Sequence, residues 1–266
     1  MSALHLIYCI LILAASVPRV AFISGASRGI GRGIALALLK RGIVCVAVAR
    51  DKNGLDEVKN AYPSLCHTLV LDLMQENALS TLIDYLQKKE LMPQILIHNL
   101  GGQTPHDAQP LNKDVLLSAI MLNLGVSVMI NEYFLPIMQK NRDGHIIHIS
   151  SDCALDGYSP PAYCAAKAGL NAYVQSSARF YARDEICIQS VMPGIINFKG
   201  SAWDKKSRTH PHLYNERKAH LALGRFGRVD EIGEFVAMLC EKKNMLTTGA
   251  NFLLNGGGYK RAGDRF

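Results

Sequence analysis

From Arg19 onward, short apolar runs alternate with segments whose apolar positions recur every three to four residues. The runs Val20–Ser24, Ile43–Ala49, Thr68–Leu71, Ile95–His98, His145–Ile149, Cys187–Val191 and Asn251–Leu254 predict strands. Helical periodicity lies between them at Gly29–Lys40, Leu55–Ala61, Ala78–Lys89, Val115–Gln139, Ala162–Arg183 and Asp230–Cys240. Most of the strand runs are continuously apolar instead of alternating, as expected where helices cover both faces of a parallel sheet. Parallel strands joined through helices need right-handed crossovers, so the pattern predicts an α/β, doubly wound sheet of about seven strands. No Pro/Gly/Ser-rich linker, low-complexity tract or internal repeat divides the chain, and one domain is expected over residues 18–266. One stretch breaks the rhythm. Phe198 to Leu223 has no clear period and holds the one tryptophan, Trp203. A segment this long without periodicity is expected to be a substrate lid.

Composition narrows the function. The 266 residues are 49% apolar and 19% charged, which excludes disorder and coiled coil. The net charge of +7 is spread along the chain. With no basic stripe interleaved with aromatics, no nucleic-acid partner is expected, and the excess reads as a solvated surface that favours anionic ligands. Cysteines at 9, 45, 66, 153, 164, 187 and 240 show no CxxC or Cys/His spacing. They read as small buried hydrophobes in a reducing compartment, with no metal and no disulfide framework. Residues 4–17 (LHLIYCILILAASV) form an apolar leader. That is shorter than the roughly 20 residues of a membrane span, and a basic segment before it is missing. A weak membrane anchor, an export signal and a misplaced start remain open for it. Export conflicts with the cofactor site described next, so a cytoplasmic location is expected, with membrane contact through 4–17 as the variant.

Ser24-Gly25-Ala26-Ser27-Arg28-Gly29-Ile30-Gly31 follows the first strand and opens a helix at once. The first glycine permits a tight turn, the second lets backbone approach a pyrophosphate, and the third lets helix pack on strand. The helix N-terminus adds N–H donors and a positive dipole end. This placement points to a dinucleotide in a Rossmann-type unit. The second strand ends in Arg50, followed by Asp51. Arg28 and Arg50 together suit the 2′-phosphate of NADP(H); the other reading has Asp51 holding the 2′-hydroxyl of NAD(H).

Tyr163 and Lys167 lie four apart on a predicted helix and share a face. A phenol with a pKa near 10 is a poor acid–base group at neutral pH, and a nearby ammonium favours its phenolate, so the lysine is expected to lower the tyrosine pKa. Such a pair suits proton transfer to a carbonyl oxygen during hydride transfer. Upstream stand Ser150-Ser151 at the end of a strand, Asn99 in His98-Asn99-Leu100-Gly101-Gly102, and Asn123 in the long helix that follows.

With these motifs in order, the sequence resembles the short-chain dehydrogenase/reductase family, in its single-domain branch, from about Arg19 to the C-terminus. Gly25-x-x-x-Gly29-Ile30-Gly31 resembles that family's cofactor motif, Asp72 its adenine-contacting aspartate, and Asn99-Leu100-Gly101 its Asn-Ala-Gly turn. Pro193-Gly194 resembles the turn after strand six, and Leu223–Gly227, Thr248-Gly249 and Gly256-Gly257 resemble C-terminal landmarks. The resemblance implies a catalytic tetrad of Asn123, Ser151, Tyr163 and Lys167. Tyr163 would give its proton to the substrate oxygen and Ser151 would polarise the carbonyl, with Ser150 as the rival serine. Lys167 would act on Tyr163 and on the nicotinamide ribose, and Asn123 would hold a relay water. The implied cofactor contacts are Gly25, Ser27, Arg28, Gly29, Ile30, Gly31, Arg50, Asp72, Leu73, Asn99, Gly101, Tyr163, Lys167, Pro193, Gly194 and Ile196. Three features depart from the pattern: His98 and Leu100 in the asparagine turn, Asn197-Phe198 where a threonine contacts the carboxamide, and the apolar leader. Asn197 is a candidate to replace that threonine.

The resemblance implies an NADP(H)-dependent carbonyl reductase or alcohol dehydrogenase, with a 3-oxoacyl reductase and a keto-sugar reductase both fitting. The alternative is a non-catalytic NADP-binding regulatory or scaffold protein with the same fold. Lys199, Lys205, Lys206, Arg208, Arg217 and Lys218 crowd the lid against Asp204 and Glu216. They favour an anionic substrate or acidic partner, or else a solvated segment. The resemblance also implies a homodimer or homotetramer, paired through the helices Val115–Gln139 and Ala162–Arg183.

Overall fold

The computed structural model describes residues 18–259. The leader at 4–17, with its anchor, signal and start readings, lies outside the described residues. Seven strands form one parallel sheet: β1 (Val20–Ser24), β2 (Val44–Ala49), β3 (Cys66–Val70), β4 (Ile95–His98), β5 (Gly144–Ile149), β6 (Ile186–Pro193) and β7 (Asn251–Leu254). Their order is β3-β2-β1-β4-β5-β6-β7, the doubly wound arrangement the apolar runs predict. The chain reverses its direction of travel between β1 and β4, and the crevice at the carboxyl ends there is where ligands of such sheets bind.

Both faces of the sheet are covered. On one lie α1 (Gly29–Lys40), α2 (Lys52–Ala61) and α9 (Val229–Leu239), on the other α3 (Ala78–Lys88), α4 (Lys113–Asn141) and α6 (Pro161–Tyr181). Two apolar layers result. Ile34, Leu38, Leu55 and Val236 pack with Ile23 and Ile97 on the first face, while Leu82, Phe134 and Val174 pack with Phe22, Leu96 and Ile188 on the second. α1 and α9 cross at a pair of glycines: a Cβ on Gly33 would lie 2.6 Å from the Val229 carbonyl oxygen, and one on Gly233 would lie 2.5 Å from that of Gly33.

The boundaries differ from expectation where a cap or a long-range contact decides them. Asp51 accepts the Asn53 N–H at 3.1 Å and starts α2 at Lys52, three residues before the first apolar position. The long helix α4 is interrupted by one π turn, Met121–Gly125, which the apolar period does not reveal. A short helix, α5 (Cys153–Asp156), follows β5. The lid also departs from expectation: it folds into α7 (Ala202–Thr209) and α8 (Pro211–His220). Neither helix buries a residue of its own, so neither carries an apolar stripe from which its period could be read.

Candidate active site

Two clefts meet at the carboxyl edge of the sheet. One, of about 630 Å³, is bounded by Gly25, Arg28, Arg50, Asp72, Asn99 and Lys167. The other, of about 560 Å³, is bounded by Ser151, Asp152, Gly194, Trp203, Lys206 and Arg217. Tyr163 stands on the wall common to both, with Arg28 and Phe198.

The first cleft is built around the glycine turn. Gly25 and Gly29 take left-handed φ of +66° and +55°, which glycine reaches without strain. A Cβ on Gly31 would lie 2.3 Å from the Gly25 carbonyl oxygen and 2.5 Å from Asn99 Nδ2, so only glycine fits. Asn99 Nδ2 donates to the carbonyls of Ser24 (3.2 Å) and Gly25 (3.0 Å), and the Ser24 hydroxyl accepts the N–H groups of Asn99 and Leu100. These bonds clamp the ends of β1 and β4 together. No side chain caps the start of α1, which leaves its first N–H groups facing the cleft for a ligand's oxygens. At the far end, exposed Arg50 Nη1 lies 3.4 Å from Asp72 Oδ2. Asp51 Oδ1 accepts the Asn53 N–H that caps α2, and Asp51 lines the cleft beside Arg50. Ser27, Ile30, Leu73 and Gly101 line the same cleft.

At the junction, α6 carries Tyr163 and Lys167 one turn apart. Asp107, from the loop after β4, accepts the backbone N–H groups of Ala162 and Tyr163, each at 2.9 Å. Lys167 is buried and its Nζ donates to the Ile149 carbonyl at 2.7 Å. Burial pulls its pKa down to about 8. The ammonium lies 5.8 Å from the Tyr163 ring centre. The expected lowering of the Tyr163 pKa is not what the structure gives: burial raises it well above 10, while hydrogen bonding with Ser151 works in the opposite direction. Desolvation of the phenolate outweighs a lysine whose own charge is disfavoured by burial.

Asn123 sits in the π turn of α4, where its Oδ1 accepts the Gly102 N–H at 2.8 Å and its Nδ2 donates to the Gly102 carbonyl at 3.0 Å. A Cβ on Gly101 would meet Asn123 Oδ1 at 2.7 Å and Lys167 Nζ at 3.1 Å, so the three residues converge. The serines divide the work: buried Ser150 donates to the Lys167 carbonyl at 3.3 Å, whereas Ser151 faces the second cleft beside Tyr163.

A family model described as enoyl-(acyl carrier protein) reductase matches residues 25–259. The chain belongs to the short-chain dehydrogenase/reductase family. It is similar to the 3-oxoacyl-acyl-carrier-protein reductase FabG of Pseudomonas aeruginosa, 29% identical over 91% of this chain and 97% of that protein. The 2,3-dihydroxy-2,3-dihydro-p-cumate dehydrogenase of Pseudomonas putida is 28% identical over 90% of this chain and 93% of its own length. Among solved structures, a 3-oxoacyl (acyl-carrier-protein) reductase from Agrobacterium tumefaciens C58 with NADP bound is 27% identical, with a TM-score of 0.82 over 90% of this chain and 93% of that one.

Against this dehydrogenase/reductase pattern, the departures acquire physical reasons. His98 points into the core, bonds Asn131 at 2.7 Å and stacks on His148 with ring centres 4.7 Å apart. Burial holds its pKa down to about 4, so it is neutral. The Asn197 side chain accepts from the Ser201 hydroxyl at 2.8 Å and reaches the Tyr214 hydroxyl at 3.4 Å, tying it to the lid helices. Phe198 lies on the glycine turn, where a Cβ on Gly29 would be 2.6 Å from its ring. Gly31 and Pro193 line neither cleft: Gly31 packs on Gly25 and Asn99, and Pro193 ends β6, while Gly194 and Ile196 line the second cleft instead of the first.

Two residues of this site escape the motifs. Asp107 caps α6 from 56 residues before Tyr163, and no local spacing reveals such a cap. Asp152 sits beside Ser151, its Oδ1 3.3 Å from the serine hydroxyl, and burial followed by the charge of Asp156 pushes its pKa up to about 6. An acid directly after the Ser-Ser pair was the available signal.

Proposed function

We propose that this enzyme is an NADP(H)-dependent oxidoreductase that interconverts a ketone or aldehyde and an alcohol. The observation that carries the reading is the position of Tyr163 on the wall shared by the two clefts, with Ser151 on one side and Lys167 on the other. The first cleft has the volume of a ligand site and glycine-only backbone at its centre. Its uncapped helix start suits the pyrophosphate, and Arg28 and Arg50 suit a 2′-phosphate. A nicotinamide cofactor held there would supply the hydride chemistry.

This chain's own residues handle the proton. The Tyr163 hydroxyl donates to the nascent alkoxide oxygen, and the Ser151 hydroxyl donates to the same oxygen and orients it. Lys167, buried and anchored on Ile149, places its ammonium where it stabilises the phenolate as the proton leaves. Asn123 fixes the Gly102 backbone and the turn of α4 beside Lys167, the position from which a relay water would be held.

Exposed apolar side chains Leu117, Met121 and Met129 on α4 and Phe180 on α6 support pairing of two copies through these helices. Light scattering of the purified protein tests the dimer or tetramer. A cytoplasmic location accords with use of the NADP(H) pool.

The test of the activity is NADPH oxidation with 3-oxoacyl thioesters and with keto-sugar phosphates, comparing wild type with Tyr163→Phe. Loss of turnover by orders of magnitude with cofactor binding retained supports the enzyme. A second reading, a cofactor-binding protein without turnover, draws on Phe198 covering Gly29. It gains if NADPH binds tightly but neither substrate pool is reduced.

A further inference from the structure

The lid's charges separate once its helices are placed. Arg208 is engaged by Asp204, with nitrogen–oxygen distances of 3.1 and 3.2 Å. Lys199, Lys205 and Lys218 are not part of the substrate-side wall, whereas Lys206 and Arg217 are. Both of these cations are laid against one indole. Lys206 Nζ lies 4.4 Å from the centre of the Trp203 ring, and the Arg217 guanidinium carbon lies 5.6 Å from it. Arg217 also stands 5.3 Å from the Tyr259 ring. Trp203 is itself braced by Phe226, with ring centres 5.4 Å apart.

Among the described residues, no carboxylate forms an ion pair with either cation. The acids of this cleft, Asp152 and Asp156, lie with α5 at the Ser151 end. Their charge reaches Tyr259, the ring that Arg217 faces, but neither forms an ion pair with Arg217 or Lys206. Two cations lining one cleft without an ion pair of their own leave it short of negative charge, and the negative face of the indole only partly offsets this. An anion bound in the cleft within reach of both gains charge-assisted bonds to them.

We propose that Lys206 and Arg217, mounted on Trp203, form an anion subsite, and that the substrate is a carbonyl compound carrying a carboxylate or phosphate away from its reacting carbon. The substrate part of this proposal rests on the oxidoreductase reading above. With the anion on Trp203, the remainder of the molecule extends toward Ser151 and Tyr163, so the subsite sets orientation as well as affinity. An uncharged ketone lacks this anchor.

The chain has one tryptophan, so its fluorescence reports on the subsite without turnover. The protein, saturated with NADP⁺ to fill the cofactor's own phosphate contacts, is titrated with inorganic phosphate and separately with succinate at constant ionic strength. A saturable change in Trp203 emission is expected with at least one of them, and which one separates phosphate from carboxylate. Arg217→Gln and Lys206→Gln should each weaken that binding at least tenfold, while Lys205→Gln, outside the cleft, should not. In parallel, kcat/KM is compared for levulinate against its methyl ester and for fructose 6-phosphate against fructose. The anionic member of the pair matched by the titration should be preferred, with at least a tenfold loss of preference in Arg217→Gln. Absence of saturation, or identical titrations in wild type and both cleft variants, overturns the subsite. A saturating titration with no NADPH oxidation by any ketone leaves the anion site standing and removes the oxidoreductase reading instead.

Discussion

Asp107 accepts the backbone N–H of Tyr163 at 2.9 Å through one carboxylate oxygen and that of Ala162, also at 2.9 Å, through the other. The helix that carries Tyr163 and Lys167 begins at Pro161 and has no side-chain cap at its own N-cap position. Asp107 satisfies two of its orphan donors and places a negative charge at the positive end of the dipole. The loop after β4 thus sets where the phenol stands.

Asp107→Ala should therefore cost about 1–2 kcal/mol of stability, the usual worth of a helix cap. It should also lower kcat more than it raises the KM for cofactor, because Tyr163 is displaced while the glycine turn is untouched. Asp107→Asn keeps one acceptor oxygen and should fall between wild type and Ala on both measures. Equal kcat values for wild type and the alanine variant would remove the positioning role.

The π turn of α4 gives a second expected outcome. Asn123 satisfies both the N–H and the C=O of Gly102, and its Nδ2 also donates to the Ala119 carbonyl at 2.9 Å. Leaving the buried Ala119 carbonyl and the half-buried Gly102 groups without a partner costs on the order of 1–2 kcal/mol. Asn123→Ala should thus lower the melting temperature by several degrees and reduce kcat. Asn123→Asp should do worse, since its carboxylate would face the Gly102 and Ala119 carbonyl oxygens. Calorimetry and steady-state kinetics on the two variants check the order.

The strands and the order of the motifs were legible because their signals are local. Continuous apolar runs such as Val44–Ala49 mark a doubly covered sheet, the glycine turn, Ser151 and Tyr163 sit at element ends that the pattern locates, and Lys167 follows one helical turn after Tyr163. What could not be read depends on contacts distant in sequence. The Asp107 cap spans 56 residues, and α7 and α8 follow no apolar stripe because neither buries a residue of its own. The direction of the Tyr163 shift was also out of reach. It turns on how deeply a phenol and an ammonium are buried, and spacing along a helix says only that they share a face.

Lys167 illustrates stability given up at a site. Its ammonium is fully buried and its pKa falls from 10.5 to about 8, a difference equivalent to roughly 3 kcal/mol against the charged folded state. Lys167→Met should abolish turnover and yet raise stability at pH 7, by less than that figure because the bond to Ile149 is lost with it. The sign with pH follows from the direction of the shift. Between about pH 8 and 10.5 the folded wild type releases a proton that the unfolded chain keeps, so the wild type recovers stability as pH rises. The advantage of Lys167→Met should accordingly shrink across that window. Chemical denaturation of both proteins at pH 7 and pH 10 measures it, and other alkaline titrations cancel in the comparison. A constant difference would show that the lysine is not destabilised by burial.

Asp152 gives the acid counterpart. Its pKa rises from 3.8 to about 6, first through burial and then through the charge of Asp156. Between about pH 4 and 6 the unfolded chain releases this proton while the folded protein keeps it, so the contribution of Asp152 to stability falls as pH rises through that window. Above it the folded protein carries a disfavoured carboxylate. Asp152→Asn should stabilise the protein at pH 7.5 by about 1 kcal/mol once solvent screening of a partly exposed group is allowed for, and by much less at pH 4.5. Because Oδ1 lies 3.3 Å from the Ser151 hydroxyl, ionisation should also reach the reaction. The carboxylate competes with the substrate oxygen for the serine proton, and the protonated acid does not. The wild-type profile of kcat/KM should bend near pH 6, and the bend should vanish in Asp152→Asn while the Ser151→Ala profile loses it together with most of the rate. Survival of the bend in Asp152→Asn would assign it to another group and leave Asp152 a bystander to the serine.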